Sequence, residues 1–273
     1  MIVSMENNFK ALRELTLPYG VTVSRSIVEE NSPRVVILNK LYSINTLEGF
    51  VSSNPKYKSI LKEIIKKNRL TRCDIADYFR SKSLHESVLC ALLWGSLNVK
   101  NLKRYFNEPV EDCGNTRGIE SKLLDVKEKL NNNKIDEAFS SMLRGHQNHI
   151  AGVGVSFLTK ILYFLSYNND NSKLPLIYDK WTQSIHATLL LSENKHWIQL
   201  SKSESGSYNA PTFIQESSLC YLDYIERMHN MGKDLTVRAD LIEEYLFGTS
   251  RKDAHNWNDN NPRKRLVDYI LNH

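Results

Sequence analysis

Along most of this chain apolar residues return at three- and four-residue intervals, the spacing that puts one stripe of a helix against a core. From Tyr57 onward, Ile60, Leu61, Ile64 and Ile65 share such a stripe, while Lys62, Lys66, Lys67, Arg69 and Arg72 collect on the other faces. The simple reading of those cations is a solvated face, and a phosphate-facing stripe is the sharper alternative. Helices are predicted next over Asp74 to Phe79 and Leu84 to Leu97. In the second, Val88, Leu89, Leu92, Leu93 and Trp94 leave almost no polar face, so it belongs at the centre of the core. Ile119 to Leu130 places Ile119, Leu123, Leu124 and Leu130 on its apolar side and is closed by Asn131-Asn132-Asn133. Ile135, Ala138, Phe139, Met142 and Leu143 then mark a one-faced helix ending at Arg144-Gly145, where glycine can adopt a left-handed C-cap.

The stretch Ile150 to Leu165 combines a two-glycine turn with a strongly apolar helix, and Ser184 to Leu191 continues as helix. Glu193 to Pro211 is polar and reads as a surface loop. Further helices are predicted over Leu219 to Met228, Ala239 to Phe247 and Arg263 to Leu271, separated by Gly232 and by the Trp257 to Pro262 linker. Residues 1 to 55 carry the weakest signal. Val21 to Ser24 and Arg34 to Leu38 are compatible with short strands, although runs of that length also occur in buried helix. The predicted fold class is therefore mainly α, with a few short strands near the N-terminus and no internal repeat.

Composition narrows the function classes. With 273 residues, 41% hydrophobic and 25% charged, the chain can bury a core, and its net charge of +5 permits a polyanionic partner without requiring one. Cys73, Cys90, Cys113 and Cys220 are far apart and form no Cys-x-x-Cys pair, so no metal site and no cofactor are expected. No secretory leader and no apolar run of membrane-spanning length is present, and a cytoplasmic location is expected.

The Gly152-Val153-Gly154 turn has three readings. A dinucleotide fingerprint needs a preceding strand and a third glycine, whereas Arg144 to His149 is polar and position 157 is Phe157. An ordinary tight turn between packed helices is the second. The third is a helix-hairpin-helix element, in which the glycines let the backbone approach a phosphate that the free N–H groups of the next helix then bind. In that case Ile150 and Val153 plug the turn into the core, while Gly152 and Gly154 face outward.

Downstream, Leu176-Ile177-Tyr178-Asp179 follows the apolar helix. The turn, the Phe157-Leu158-Thr159-Lys160 helix and this segment together resemble the signature of the helix-hairpin-helix DNA glycosylase superfamily, and in particular its bacterial 8-oxoguanine glycosylase-like branch. Patches at Ala91 to Ser96 and Arg238 to Phe247 extend the resemblance over roughly residues 85 to 247. Two departures stand out: Ala151 replaces the proline before the first glycine, and Ser156 stands where bifunctional members keep a nucleophilic lysine.

The resemblance implies a single helical unit over residues 1–273 with two lobes around a cleft, a helical core over 56–273 and the hairpin near 135–166. It implies double-stranded DNA as partner and an extruded base as substrate; a monomer is expected, with the oligomeric state left open by the sequence. Asp179 is then the catalytic carboxylate, stabilising positive charge at C1′ and orienting water, while helix N-capping is its ordinary alternative. Serine at 156 implies base removal without strand cleavage. Lys160, one turn beyond Ser156, can pair with Asp179, bind phosphate or act as a displaced amine. Gly152, Val153, Gly154, Ser156 and His149 are the candidate DNA contacts, and Trp94, Phe157, Tyr178 and Trp181 the candidate base pocket. Residues 146 to 149 equally suit a polar loop at a helix end, and Arg263-Lys264-Arg265 reads as solvated surface. The substrate stays open between an oxidised purine and a hypermodified base, such as glucosylated hydroxymethylcytosine of phage DNA removed in antiviral defence. A non-catalytic DNA-binding protein is the alternative.

Overall fold

A computed structural model describes residues 14–17, 20–31, 34–167, 173–195, 197–199, 212–213, 217–248 and 258–272. In chain order the elements begin with strands β1 (Glu14–Leu17) and β2 (Val21–Ser24), helix α1 (Arg25–Glu30), strand β3 (Val35–Ile37), and helices α2 (Leu38–Leu41), α3 (Ile44–Ser53) and α4 (Lys58–Lys67). Strand β4 (Arg69–Thr71) leads into α5 (Arg72–Ser81), α6 (Leu84–Trp94), α7 (Val99–Phe106), α8 (Ile119–Asn131), α9 (Ile135–Met142) and α10 (Val155–Ser166). After α11 (Lys180–Ser192) come strands β5 (Ile198–Gln199) and β6 (Thr212–Phe213), then α12 (Ser217–Leu235), α13 (Ala239–Phe247) and α14 (Pro262–Asn272). The mainly α class predicted from periodicity holds. Both N-terminal strand segments are strands, β2 pairing with β1 and β3 with β4, each antiparallel.

By internal contacts the chain forms two compact units. The larger comprises residues 32–180 and 215–225. At its centre lies α6, every residue from Ser87 to Trp94 buried, packed against α5, α8 and α10. Such a helix has no polar face because neighbours cover it all round. The start of α5 is fixed by a capping box, Thr71 Oγ1 accepting from the Asp74 N–H while the Asp74 carboxylate accepts from the Thr71 N–H. In α8 the apolar stripe runs through Ile119, Leu123, Val126 and Leu130, and Leu124, expected on it, is exposed.

The smaller unit comprises residues 1–31, 181–214 and 226–273. Here α13 packs on α14 and α1, and Tyr245 Oη donates to the Thr22 carbonyl at 3.0 Å.

Several local expectations are corrected. Gly232 does not interrupt a helix, since α12 runs through it; a Cβ there would lie 2.7 Å from the Val237 carbonyl oxygen, so glycine answers a close approach. Gly145 is left-handed, with φ of +89°, but α9 has already ended at Met142. Part of the predicted Glu193 to Pro211 loop is strand, with β5 pairing to β6, and the rest of it, from 200 to 211 and at 196, lies outside the described residues, as does Trp257 of the linker. Among the described residues no helix is long and apolar enough to cross a membrane, and no group of three or more His, Cys, Asp or Glu could hold a metal ion.

Candidate active site

Helix α10 opens at Gly154, an exposed N-cap with no side-chain cap; the Phe157 N–H bonds to the Gly154 carbonyl, while the Val155 and Ser156 N–H groups ahead of it have no intrahelical acceptor. Ile150 and Val153, both buried, anchor the turn as expected. Gly154 faces open space, whereas Gly152 does not. Its φ is +83°, and a Cβ would fall 2.4 Å from the Asn101 carbonyl oxygen and 3.3 Å from Arg104 Cβ. The outward placement predicted for Gly152 is thus corrected: it is the point where the hairpin packs backbone to backbone against α7.

The hairpin is also held from behind. The Ala151 N–H donates to Glu108 Oε1 at 3.3 Å, and Glu108 Oε2 accepts from Lys122 Nζ at 2.9 Å. Asn148 is fully buried, accepting from Arg117 Nη1 at 2.9 Å and donating through Nδ2 to Asp125 and to Ser141 Oγ. A buried amide with each group bonded is a structural hub, so of residues 146 to 149 this one is part of the loop's framework. His149 is half-buried. Its imidazole is held below the usual range by burial, with Glu108 pulling the other way and Lys122 and Arg144 reinforcing the shift.

Ser156 and Lys160 lie one turn apart on α10. Lys160 is 2% exposed, and its Nζ donates to the Ser156 carbonyl at 3.0 Å, to Ser156 Oγ at 3.2 Å and to Asp179 Oδ2 at 3.4 Å. The ammonium also sits 5.2 Å from the centroid of the half-buried Phe157 ring. Close packing on this side depends on Gly95 at the end of α6, where a Cβ would meet Phe157 Cε1 at 2.8 Å and Lys160 Cδ at 3.0 Å.

Asp179 is 8% exposed and directly precedes α11. The extended segment leading to it is tied down from two sides. The Tyr178 N–H donates to Thr159 Oγ1 of α10 at 2.9 Å, and Tyr221 Oη of α12 donates to the Leu176 carbonyl at 2.9 Å. Sequence reasoning gave Gly95 and Thr159 no role of their own, although both lie in stretches that carry the resemblance, and it missed Tyr221. Thr159 had a legible signal, as one of few polar residues in an apolar helix; Tyr221 had none.

Of the aromatic candidates in the larger unit, Trp94 and Tyr178 are buried and Phe157 is half-buried. Tyr178 is buried against Tyr221 and Tyr224, with centroids 5.7 and 5.1 Å away. Trp94 is buried edge-on to Phe164 at 5.5 Å, with the Arg34 and Arg72 guanidiniums 5.0 and 6.0 Å from its ring. Both are therefore core residues, as the helical spacing of Trp94 also allowed. Trp181 belongs to the smaller unit, where the Arg263 guanidinium lies 3.4 Å from its ring centroid and 4.7 Å from that of Phe247. The basic cluster at 263–265 is corrected accordingly. Arg263 is buried, Lys264 bridges Asp259 and Asp268, and Arg265 binds the Gly20 and Asp259 carbonyls. Arg72, expected on a solvated stripe, is buried against Tyr163.

What remains together is a carboxylate and an ammonium, both withdrawn from water, beside an open helix N-terminus. A family model described as "Putative 8-oxoguanine DNA glycosylase OGG-like protein" matches residues 45–247, which include every residue of this site. No curated protein and no solved structure matches the chain. Because that match spans most of its length, the chain belongs to the 8-oxoguanine DNA glycosylase OGG-like family.

Proposed function

We propose that this protein is a monofunctional DNA N-glycosylase that draws a damaged or modified base out of the duplex, hydrolyses its N-glycosidic bond and leaves an abasic site. The observation that carries this reading is the engaged state of Lys160. Its Nζ is held by Ser156 O, Ser156 Oγ and Asp179 Oδ2, contacts that tether the group within the protein and oppose its reach towards a sugar. Asp179 then does the chemistry. As the bond to the base breaks, positive charge grows on the sugar, and a preorganised carboxylate in a poorly hydrated site stabilises it and orients the attacking water. Lys160 holds that carboxylate in place.

In this reading the hairpin receives the DNA backbone. Gly154, Val155 and Ser156 offer main-chain N–H groups at the start of α10, Gly152 and Val153 set the shape of the turn, and His149 adds a ring nitrogen beside it. Phe157, half-buried next to Lys160, is the aromatic surface against which an extruded base would stack. The base is either an oxidised purine or a hypermodified one such as the glucosylated hydroxymethylcytosine of phage DNA, the latter making the enzyme an antiviral defence.

The test is base release, read by mass spectrometry, from oxidised plasmid DNA and naturally modified phage DNA side by side. Release from one names the substrate class. Salt-sensitive duplex binding with no base released from either would leave a DNA-binding protein without catalysis.

A second reading rests on the 3.2 Å approach of Lys160 Nζ to Ser156 Oγ, which brings an amine to the position a lysine at 156 would serve. A neutral Lys160 would displace the base by forming a C–N bond at C1′ as the glycosidic bond breaks, the base leaving with the proton shed by the amine; opening of the sugar C1′–O4′ bond would then give an imine that borohydride traps. Absence of a trapped complex during active base release eliminates it.

A further inference from the structure

Helix α7 has no part in the chemistry above, yet its position is fixed by the hairpin. Its buried side is Leu102, Tyr105 and Phe106, and its exposed side carries Lys100, Lys103 and Arg104 with no acidic residue in the helix. Lys103 and Arg104 suit the C-terminal end of a helix, where the backbone dipole favours cations. Lys100 does not: it stands in the first turn, where the dipole opposes a positive charge. Among the described residues neither Lys100 nor Lys103 makes an ion pair, and Arg104 makes one side-chain hydrogen bond, Nη1 to Asn101 Oδ1 at 3.4 Å.

Asn101 is the residue whose carbonyl abuts Gly152, and Arg104 Cβ lies 3.3 Å from where a Gly152 Cβ would be. Lys100 and Arg104, four residues apart, share the face of α7 adjoining that contact. The nearby acid, Glu108, is already matched by Lys122 and by the Ala151 N–H, so it does not neutralise them. Two cations without a carboxylate partner among the described residues, Arg104 at the contact and Lys100 one turn before it, are therefore carried by a helix that the contact at 152 holds in place.

We infer that Lys100 and Arg104 form a second backbone-contact element, gripping phosphates of the same DNA strand next to the one received at the hairpin. The inference rests on the DNA-binding part of the proposed function and not on catalysis. A solvated helix face carries no requirement for this packing, and the first-turn lysine makes sense as a local cost offset by a polyanion.

The test uses the full chain and an unmodified duplex, with fluorescence anisotropy over a series of salt concentrations. Lys100→Met and Arg104→Met keep the aliphatic stems and so the packing around Asn101. Each is expected to lower the slope of log affinity against log salt by about 0.9, and the double variant by about twice that. Lys40→Ala, which removes an exposed cation on α2, should leave the slope unchanged, and Arg104→Lys should restore it. An unchanged slope in the double variant with an unaltered melting temperature overturns the inference, as does failure of the wild-type chain to bind duplex. A lowered slope in a protein that releases no base would sustain it while ending the glycosylase reading.

Discussion

Nineteen residues apart in sequence, Lys160 and Asp179 meet with 3.4 Å between Nζ and Oδ2, and only 2% and 8% of the two residues reach solvent. Charges withdrawn from water this far depend on each other. Losing one charge removes a neighbour that offsets the cost of burying the other, which costs more than losing both.

Asp179→Asn is the first consequence. The amide keeps the shape and an acceptor for Lys160 but cannot offset positive charge on the sugar. Single-turnover base release should fall by roughly 10²- to 10³-fold, the range for losing one transition-state stabilising group, while duplex affinity is unchanged or improved. Full activity in this variant would remove Asp179 from the chemistry.

Stability should respond differently at the two ends of the pair. Lys160→Met removes the ammonium 3.4 Å from the buried Asp179 carboxylate and should destabilise the fold by about 3–5 kcal/mol. In the double variant Lys160→Met/Asp179→Asn no buried charge is left alone, so much of that loss should return. Denaturant titrations of the three proteins check the order, and a double variant weaker than Lys160→Met contradicts the coupling.

The two glycines of the hairpin separate packing from binding. Gly152→Ala puts a Cβ 2.4 Å from the Asn101 carbonyl oxygen on a residue with φ of +83°, and should cost well over about 1 kcal/mol in stability. At Gly154 φ is −92° and nothing lies within 4 Å, so Gly154→Ala should cost no more than about 1 kcal/mol, the loss of a glycine N-cap, and melt closer to wild type than Gly152→Ala. If its exposed backbone meets DNA, the same substitution weakens duplex binding, measured by anisotropy alongside the melting curve.

Acid should unlock the loop behind the hairpin. Burial raises the Asp125 carboxyl, but hydrogen bonds from Lys129 and Asn148, with the Lys129 and Arg117 charges, outweigh it and hold the group below the usual carboxylate range. A lowered folded value means the contribution to stability is complete above the unfolded value near about 4 and disappears as pH falls through the folded one. Asp125→Asn should therefore be less stable than wild type at neutral pH, the two converging below about pH 4. Urea titrations at both extremes measure this, and a gap that persists in acid would assign the effect to packing.

Legibility in the sequence followed the length and purity of the apolar pattern. Helices α6, α9, α10 and α13 were readable because each buries a stripe or a whole circumference over two turns or more. Helix α7 was overlooked: its three buried residues, Leu102, Tyr105 and Phe106, are interleaved with three cations over eight residues. The Asn98 N-cap, whose side chain accepts from the Asn101 N–H, was the signal available. Glycine misled twice in opposite directions, since Gly232 looked like a break and Gly152 like an exposed turn, and both are sites of close backbone approach. Neighbours distant in sequence decide such cases, and local pattern does not contain them. At the site, the order of turn, helix and aspartate was readable, whereas the grip of Thr159 and Tyr221 on the segment before Asp179 depends on tertiary contacts alone.

Half of the attachment of Lys160 at position 156 is to main chain, since Nζ donates to the Ser156 carbonyl as well as to its hydroxyl. For an engineer who wants strand cleavage from this scaffold, the serine is consequently the wrong place to begin. Ser156→Lys alone would crowd two ammonium groups around one carboxylate, because the resident amine is retained by the helix backbone whatever side chain stands at 156. Exchanging the two residues together, lysine into 156 and serine into 160, preserves the charge count and delivers a nucleophile that the existing arrangement keeps occupied.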